Sequence, residues 1–526
     1  MILDERLAHT RRQLIKRFGA AAGALVSVPF AIREAVAQVT FASDPFQLGI
    51  ASGDPSSDGF VIWTRLAPKP FEVGFGLGSQ PVEVAWEVAT DERFVSVVRT
   101  GVALASPILA HSVHVEVDGL QPDRPYWYRF RAGGVQSPPG RARTTPAASA
   151  PVRHVKFGVA GCQGFPTGFY SAYRHLLTED PAFVFFYGDY IYEYGGNPPV
   201  DVTSALAARR YLGNEVLSVD DYRRRYAQHK SDADLQAAHA AAAWFAVWDD
   251  HDIENNWASD WDENGTPPEI FRLRRQAAAQ AFYEHMPLRR SALPNGVSMQ
   301  IYRRAAFGDL MDLNLLDTRQ YRSDQPCGGK AEGCADVVDP KAEFMGRQQE
   351  TWLYAGLSGS RARWKAIAQQ VMMMDLDRDP APDQVRYNTD SWAGYQAPRA
   401  RLLAHIRDRK VSNVVVLTGD EHVNYAGELH VDGLKPGSAP VAVEFVATSI
   451  SSGGDGQDIN DQARALLATN EQLKFVNQQR GYVMCDVTPE RWETSFRVMD
   501  RVSTPRGTIS TRRKFTVEPM SNRLSA

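Results

Sequence analysis

A layered α/β (α+β) fold with a smaller all-β region ahead of it is predicted by three features of the sequence. Between about Phe46 and Arg143 apolar residues alternate over short runs. Beyond a small-residue linker, Thr144 to Ala150, continuous apolar runs alternate with helical patterns. Several of those runs end in dense polar clusters. Period-2 runs read as strands with one covered face, and strand–helix alternation builds a sheet flanked by helices. The 526 residues carry 58 basic and 62 acidic side chains, a net charge of -4. With 44% apolar residues the chain can bury large cores. With no positive excess it does not read as a sequence-specific nucleic-acid binder.

Residues 1–37 read as a leader rather than as fold. Arg11 and Arg12 precede a modestly apolar run, Phe18 to Ile32, and Ala35-Val36-Ala37 offers a small-x-small cleavage site. The run is short of the roughly 20 residues that span a bilayer. The pattern resembles a twin-arginine signal peptide. It implies the twin-arginine translocase as a transient partner, a periplasmic or secreted location, and no transmembrane anchor after cleavage. The alternative is an amphipathic anchor helix that stays attached.

The all-β region, 44–143, contains strands at Phe60–Thr64, Val82–Val88, His111–Val117 and Tyr126–Phe130, punctuated by Gly-Asp-Pro, Asp-Gly and Pro-Pro-Gly. Leu120 to Tyr128 resembles the corner of a fibronectin-like sandwich, where a Tyr hydroxyl ties back to the preceding loop. His111 and His114, three apart on a strand, read as structural or surface residues. In the second region, 151–515, strands are expected at His154–Ala160, Phe183–Tyr187, Trp244–Trp248, Leu310–Leu316 and Asn413–Leu417. Helices are expected at Tyr170–Leu177, over most of Val219–Ala243, at Ile270–His285, and as a pair at Gly346–Ala355 and Ser360–Trp364. Cys327 and Cys334 enclose a Gly-rich loop and read as a disulfide in an oxidising compartment; Cys485 reads as a core residue.

The strand ends carry the functional reading. Gly161-Cys162-Gln163, Gly188-Asp189-Tyr190-Ile191-Tyr192, Asp249-Asp250-His251-Asp252, Asp317-Thr318-Arg319 and Gly419-Asp420-Glu421-His422 each follow an apolar run. In open α/β sheets ligands sit at the carboxyl ends of the strands. Crowded carboxylates repel unless a cation neutralises them, so a multi-metal site is the simplest reading. The order resembles the strand-end grammar of binuclear metallophosphoesterases, with Asp250 at the usual Asn place and Asp420 at a usual His place. That resemblance implies a four-layer β-sandwich flanked by helices. An oxygen-rich set suits Ca²⁺, whereas a thiolate and a phenolate suit Fe³⁺.

Taken with Ala51-Ser-Gly-Asp-Pro55, Val61-Ile-Trp-Thr-Arg65, Trp248 to Trp257, Leu316-Asp-Thr-Arg-Gln-Tyr321, Gly346-Arg-Gln-Gln349 and Gln369-Gln-Val-Met372, the text resembles the PhoD family of alkaline phosphatases and phosphodiesterases. The resemblance implies one Fe³⁺ with Ca²⁺ nearby. Cys162 and Tyr192 would bind iron, Asp189 would bridge, and Asp250, Asn255, Asp420 and His422 would complete the set. His251 is expected as a phosphate contact or general acid, and Arg319 as a phosphate clamp. Blander roles compete. Cys162 could be a buried thiol, and Tyr192 a packing aromatic like Tyr190 or Tyr194. His251 could be a structural hydrogen-bonder, Arg319 an ion-pair partner of Asp317 or Asp324, and Asn256 the ligand instead of Asn255. Asp189 and Asp250 could be helix caps. The expected substrates are small phosphoesters. Rival readings are a phospholipase-D-like enzyme on lipid or wall-polymer phosphodiesters, and a non-catalytic exported metal-binding protein. Ser451-Ser-Gly-Gly-Asp455 lacks the Gly-Lys-Ser/Thr of a P-loop and reads as a turn near the site.

Overall fold

Two mixed β-sheets face each other and form the centre of a computed structural model that describes residues 39–196, 209–330, 334–379, 385–434 and 437–526. The expected leader, 1–37, lies outside the described residues. The larger sheet has the strand order Ile509–Val517, Trp492–Met499, Gly481–Val487, Val155–Ala160, Phe183–Phe186, Ala243–Ala246, Ile50–Ser56, Gly59–Arg65, Ser112–Val117. The second runs Arg303–Phe307, Met311–Leu315, Trp364–Ala368, Val414–Thr418, Ala442–Val446, Asn424–Leu429, Leu473–Asn477.

Side chains alternate across each strand, and the cores follow that alternation. In the second sheet Leu313, Leu315, Val415, Leu417, Val443 and Phe445 join the core shared with the larger sheet. Their neighbours Val414, Val416, Ala442 and Val446 face a separate core with Leu353, Leu402 and Leu403. Those leucines belong to helices Gly346–Gly359 and Gln396–Asp408. The far face of the larger sheet is covered by Leu176, Phe271 and Phe282 from helices Ser171–Thr178 and Pro268–His285. The result is helix, sheet, sheet, helix, the four layers expected.

Five strands lie in a third sheet, Val97–Ala105, Val82–Ala89, Pro125–Ala132 and Val135–Gln136 in order, with Gly140–Arg143 paired to Pro125–Ala132. The Tyr corner forms as expected: Gln121 N–H donates to the Tyr126 hydroxyl at 2.9 Å. The other strands of this region do not close a sheet of their own. Ile50–Ser56 pairs in parallel with Ala243–Ala246, through Ser52↔Ala243 and Gly53↔Trp244. Gly53 is required there, because a Cβ would lie 2.3 Å from Pro287 O. Residues 42–526 form one compact unit.

One helical expectation holds with an added break, and one is corrected. The stretch from Val219 is two helices, Val219–Lys230 and Ala233–Ala241. Asp232 stops the first by capping the second, accepting from Asp234 N at 3.0 Å and Leu235 N at 3.2 Å. No helix forms at Ser360–Trp364; Trp364–Ala368 is instead a fully buried strand parallel to Met311–Leu315. Cys327 and Cys334 are disulfide-bonded, and Cys485 is buried in Gly481–Val487. The C-terminal strand Ile509–Val517 pairs with Trp492–Met499, and Met520 N–H then donates to Asn413 Oδ1. Asn413 precedes Val414–Thr418, so the tail finishes at the opposite end of that strand from Asp420. No described helix is long and apolar enough to cross a membrane.

Candidate metal centre

Strand direction brings the polar clusters together. Val155–Ala160, Phe183–Phe186 and Ala243–Ala246 are adjacent and parallel, so Cys162, Asp189 and Asp249 to His251 leave the same sheet edge. Met311–Leu315, Trp364–Ala368 and Val414–Thr418 are parallel in the facing sheet and deliver Arg319, Asp420 and His422. Tyr187 packs between the two edges. A Cβ on Gly161 would lie 2.2 Å from its ring, and one on Gly419 2.0 Å. Its hydroxyl donates to Thr448 O at 2.8 Å. The glycines of Gly-Cys and Gly-Asp are therefore spaces for one aromatic ring.

The backbone is unusual at this edge. Cys162, Asp189, Asp420 and His422 all have positive φ, 52°, 55°, 68° and 55°. Non-glycine residues seldom adopt this region, and such strain concentrates at functional sites. Asp252 holds the turns in place. Its carboxylate accepts from Asp189 N at 2.9 Å, Tyr190 N at 3.1 Å, Asp249 N at 3.0 Å and the Tyr226 hydroxyl at 3.1 Å.

Three ligand groups share members. Cys162, Asp189 and His422 form one, Asp189, Asp250 and His251 a second, and Asp249, Asp250 and Asp420 a third. Within each, one ligand atom per residue lies within 4.8 Å of the others. The Tyr192 hydroxyl is 3.0 Å from both Asp189 Oδ2 and His422 Nε2, and Cys162 Sγ is 3.3 Å from the same carboxylate oxygen. Asp189 is common to two of the groups.

The residues fit a cation. Asp189 Oδ1 and Asp249 Oδ2 are buried with no hydrogen-bond partner among the described residues, a costly state for carboxylate oxygens. Burial and the neighbouring Asp250 push Asp189 well above the usual carboxylate range. Burial, then Asp189, Asp420 and Asp249, push the Cys162 thiol up. Burial and then Asp189 push the Tyr192 phenol up. In all three burial is the larger cause and neighbouring carboxylates add to it, and a multivalent cation would favour the ionised forms.

His251 Nδ1 is 2.8 Å from Glu193 Oε2, and Nε2 lies 4.0 Å from Asp250 Oδ2. Burial opposes the imidazolium, but Glu193, Asp250 and Asp189 outweigh it and raise His251 well above its ordinary value. Asn255 is half-buried in the same loop, and its backbone N–H donates to Glu193 Oε1 at 3.0 Å. Asn256 N–H donates to Asp250 Oδ2 at 2.9 Å.

Arg319 departs from its expected place. Its side chain is fully buried, with Nε 2.6 Å from Asp249 Oδ1 and Nη1 2.7 Å from Asp390 Oδ1. Nη2 lies 3.2 Å from Asp250 Oδ1 and 3.5 Å from Asp420 Oδ1. The guanidinium is a counter-charge enclosed by four carboxylates rather than a fork open to phosphate. Neither Asp317 nor Asp324 is its ion-pair partner.

Comparison with known proteins gives the family. The profile described as PhoD-like phosphatase matches residues 157–496, and that of the PhoD-like phosphatase N-terminal domain matches residues 32–146. The chain belongs to the PhoD-like phosphatase family. It is 46% identical over 512 residues to alkaline phosphatase D of Bacillus subtilis (strain 168), covering 96% of this chain and 87% of that one. The solved structure of PhoD superposes with a TM-score of 0.90 at 46% identity, over 93% of each chain. The protein is accordingly a phosphoester hydrolase of the PhoD type, and PhoD-like phosphatases supply its fold class.

Sequence reasoning gave no role to Asp252, Glu193 or Asp390, and placed Ser452 in a turn near the site without giving it a task. Asp252 lies inside a quoted motif and Glu193 directly follows another, so the signal was a polar residue without an assigned task. Asp390 comes from a distant segment, and only the fold brings it to the site.

Proposed function

We propose that this PhoD-like phosphatase is an exported, metal-dependent hydrolase of phosphomonoesters and phosphodiesters that uses Fe³⁺ and Ca²⁺. The observation that carries the reading is the shared carboxylate Asp189. It meets the Cys162 thiol and the Tyr192 phenol on one side and the Asp250 carboxylate on the other. Thiolate and phenolate suit a ferric ion, and the carboxylates Asp250 and Asp420 with the Asn255 amide suit calcium. His422 completes the set. Bound cations would polarise the phosphoryl oxygen and supply an activated water.

The chain's own groups do the rest. Glu193 fixes the His251 ring through Nδ1, which leaves Nε2 to carry a proton to the leaving oxygen. Arg319 neutralises Asp249, Asp250, Asp390 and Asp420, so four carboxylates can stay within reach of one centre. Asp252 holds the Asp189 and Asp249 turns in register.

Residues 1–37 serve as the twin-arginine signal in this reading, and cleavage leaves no membrane anchor. A periplasmic or secreted location is supported by the Cys327–Cys334 disulfide, since such bonds persist in oxidising compartments. We assign the sandwich to 44–143 and the catalytic region to 151–515. The test is to assay purified protein on a chromogenic phosphomonoester and phosphodiester, with calcium or with chelator, and to count metals per chain. Chelator-sensitive turnover with about one iron per chain is the expected result. The ratio of the two rates fixes the preferred ester. Metal-loaded protein inert on both would return weight to the non-catalytic reading.

A further inference from the structure

The Ser451-Ser452-Gly453-Gly454-Asp455 turn lies against the candidate metal centre, with Ser452 beside Cys162 and Tyr192. It is pinned from both sides. Ser449 Oγ donates to Ser452 O at 2.7 Å, and Ser451 Oγ to Gly164 O at 2.9 Å. Asp455 Oδ1 accepts from Val502 N at 2.6 Å and Ser503 N at 2.7 Å. Gly453 and Gly454 take positive φ, 84° and 72°, so the chain can reverse. The turn is thereby a fixed platform for one hydroxyl.

That hydroxyl is Ser452 Oγ, on a residue 3% exposed. It is 2.6 Å from the Tyr192 oxygen and 2.8 Å from Cys162 O, and it accepts from Gly164 N at 2.9 Å. A serine hydroxyl has one hydrogen and here meets two acceptors. The Cys162 carbonyl is also served by backbone N–H groups, Ser452 N at 3.3 Å and Ser451 N at 3.5 Å. The Tyr192 oxygen has no other hydrogen-bond donor among the described residues besides the His422 ring nitrogen, and its own hydrogen is directed at Asp189 Oδ2. The hydrogen of Ser452 is therefore best used on Tyr192.

We infer that Ser452 is a positioning residue for the metal centre: its hydroxyl donates to the Tyr192 oxygen and aims it between Asp189 and His422. The inference rests on the proposed role of Tyr192 as a metal ligand. Groups that hydrogen-bond a metal ligand orient it and tune its donor strength, and losing one typically weakens metal binding about 10- to 100-fold. The serine also joins three segments, those of Cys162, Tyr192 and the turn itself, so it aligns two ligands at once.

The test compares wild type with Ser452→Ala, Tyr192→Phe and the double variant, each loaded with iron. Two quantities are read: the visible absorption band of iron-bound phenolate, and the chelator concentration that strips half the metal. Ser452→Ala is expected to move the band to longer wavelength and to lower the half-stripping concentration about 10- to 100-fold. In the Tyr192→Phe background the same change is expected to do nothing further. A Ser452→Ala protein with an unchanged band and unchanged metal retention, beside a weakened Tyr192→Phe protein, overturns the inference and leaves the ligand reading standing. An equal loss in both backgrounds also overturns it, because the serine would then be a loop clip. Tyr192→Phe that keeps the wild-type band and metal removes Tyr192 as a ligand, and the inference falls with it. Thermal unfolding of the metal-free variants guards against misfolding; a fall in midpoint that persists without the Tyr192 hydroxyl counts against the inference.

Discussion

Arg319 Nε and Asp249 Oδ1 lie 2.6 Å apart with both side chains fully buried. A buried pair of this kind is weak evidence of net stabilisation, but removing one partner strands the other. Here the stranded groups would be four carboxylates. Arg319→Ala is expected to cost about 3–5 kcal/mol in denaturant unfolding. Arg319→Lys should recover only part of that loss, since an ammonium cannot span Asp249 and Asp390 as a planar fork. A variant of wild-type stability would show that the carboxylates are neutralised by something else.

Asp189→Ala should remove metal and turnover together. The carboxylate belongs to two of the three ligand groups, so its loss divides the centre. Metal per chain and kcat on a phosphomonoester are the two measurements. Retained turnover in metal-replete Asp189→Ala protein would move the reaction elsewhere in the molecule.

Gly419→Ala tests the aromatic wedge. The added methyl would lie 2.0 Å from the Tyr187 ring, so ring or strand must move. Overpacking of this kind typically costs about 1–3 kcal/mol. Activity should fall as well, because the displaced strand carries Asp420 and His422. Tyr187→Leu in the Gly419→Ala background should recover part of the thermal midpoint, by making room for the methyl.

A pH-dependent loss of stability is expected from His114. His114 stacks on Tyr283 at 4.4 Å and points Nδ1 at Leu288 O, 3.3 Å away. Burial pushes it from 6.5 down to about 4, and Lys230 adds to the effect. The unfolded chain then binds the proton more readily than the folded one between those values. Stability from this group is fully present above pH 6.5, declines as pH falls, and is lost below about 4. The loss amounts to at most about 3 kcal/mol. His114→Gln should flatten the unfolding free energy across that window while leaving the plateau above pH 7 in place for comparison.

Much of the site was legible because each ligand-bearing turn follows directly on a buried strand. The step from Phe-Phe-Tyr187 to Gly188-Asp189 is visible in the residues alone. Sequence could not show that Arg319 points inward, since a guanidinium fork suits a phosphate and a carboxylate equally. Nor could it show Ser452 beside Tyr192, 260 positions away in the chain. The helix break at Asp232 did leave a signal, an Asp ahead of an alanine-rich run, but apolar periodicity on both sides masked it. Trp364 read as a helix end because its five-residue strand is too short for its period to be diagnostic.

The parallel pairing of Ser52 with Ala243 has a consequence for how this protein can be divided. Cutting at Thr144–Ala150 would seem natural on composition. It would also expose the unpaired flank of Ala243–Ala246, the very strand whose end carries Asp249 and Asp250. A naked parallel edge recruits other chains. The catalytic half expressed alone should therefore aggregate, and exchange of the amino-terminal module between relatives should succeed only when the replacement brings its own matching first strand.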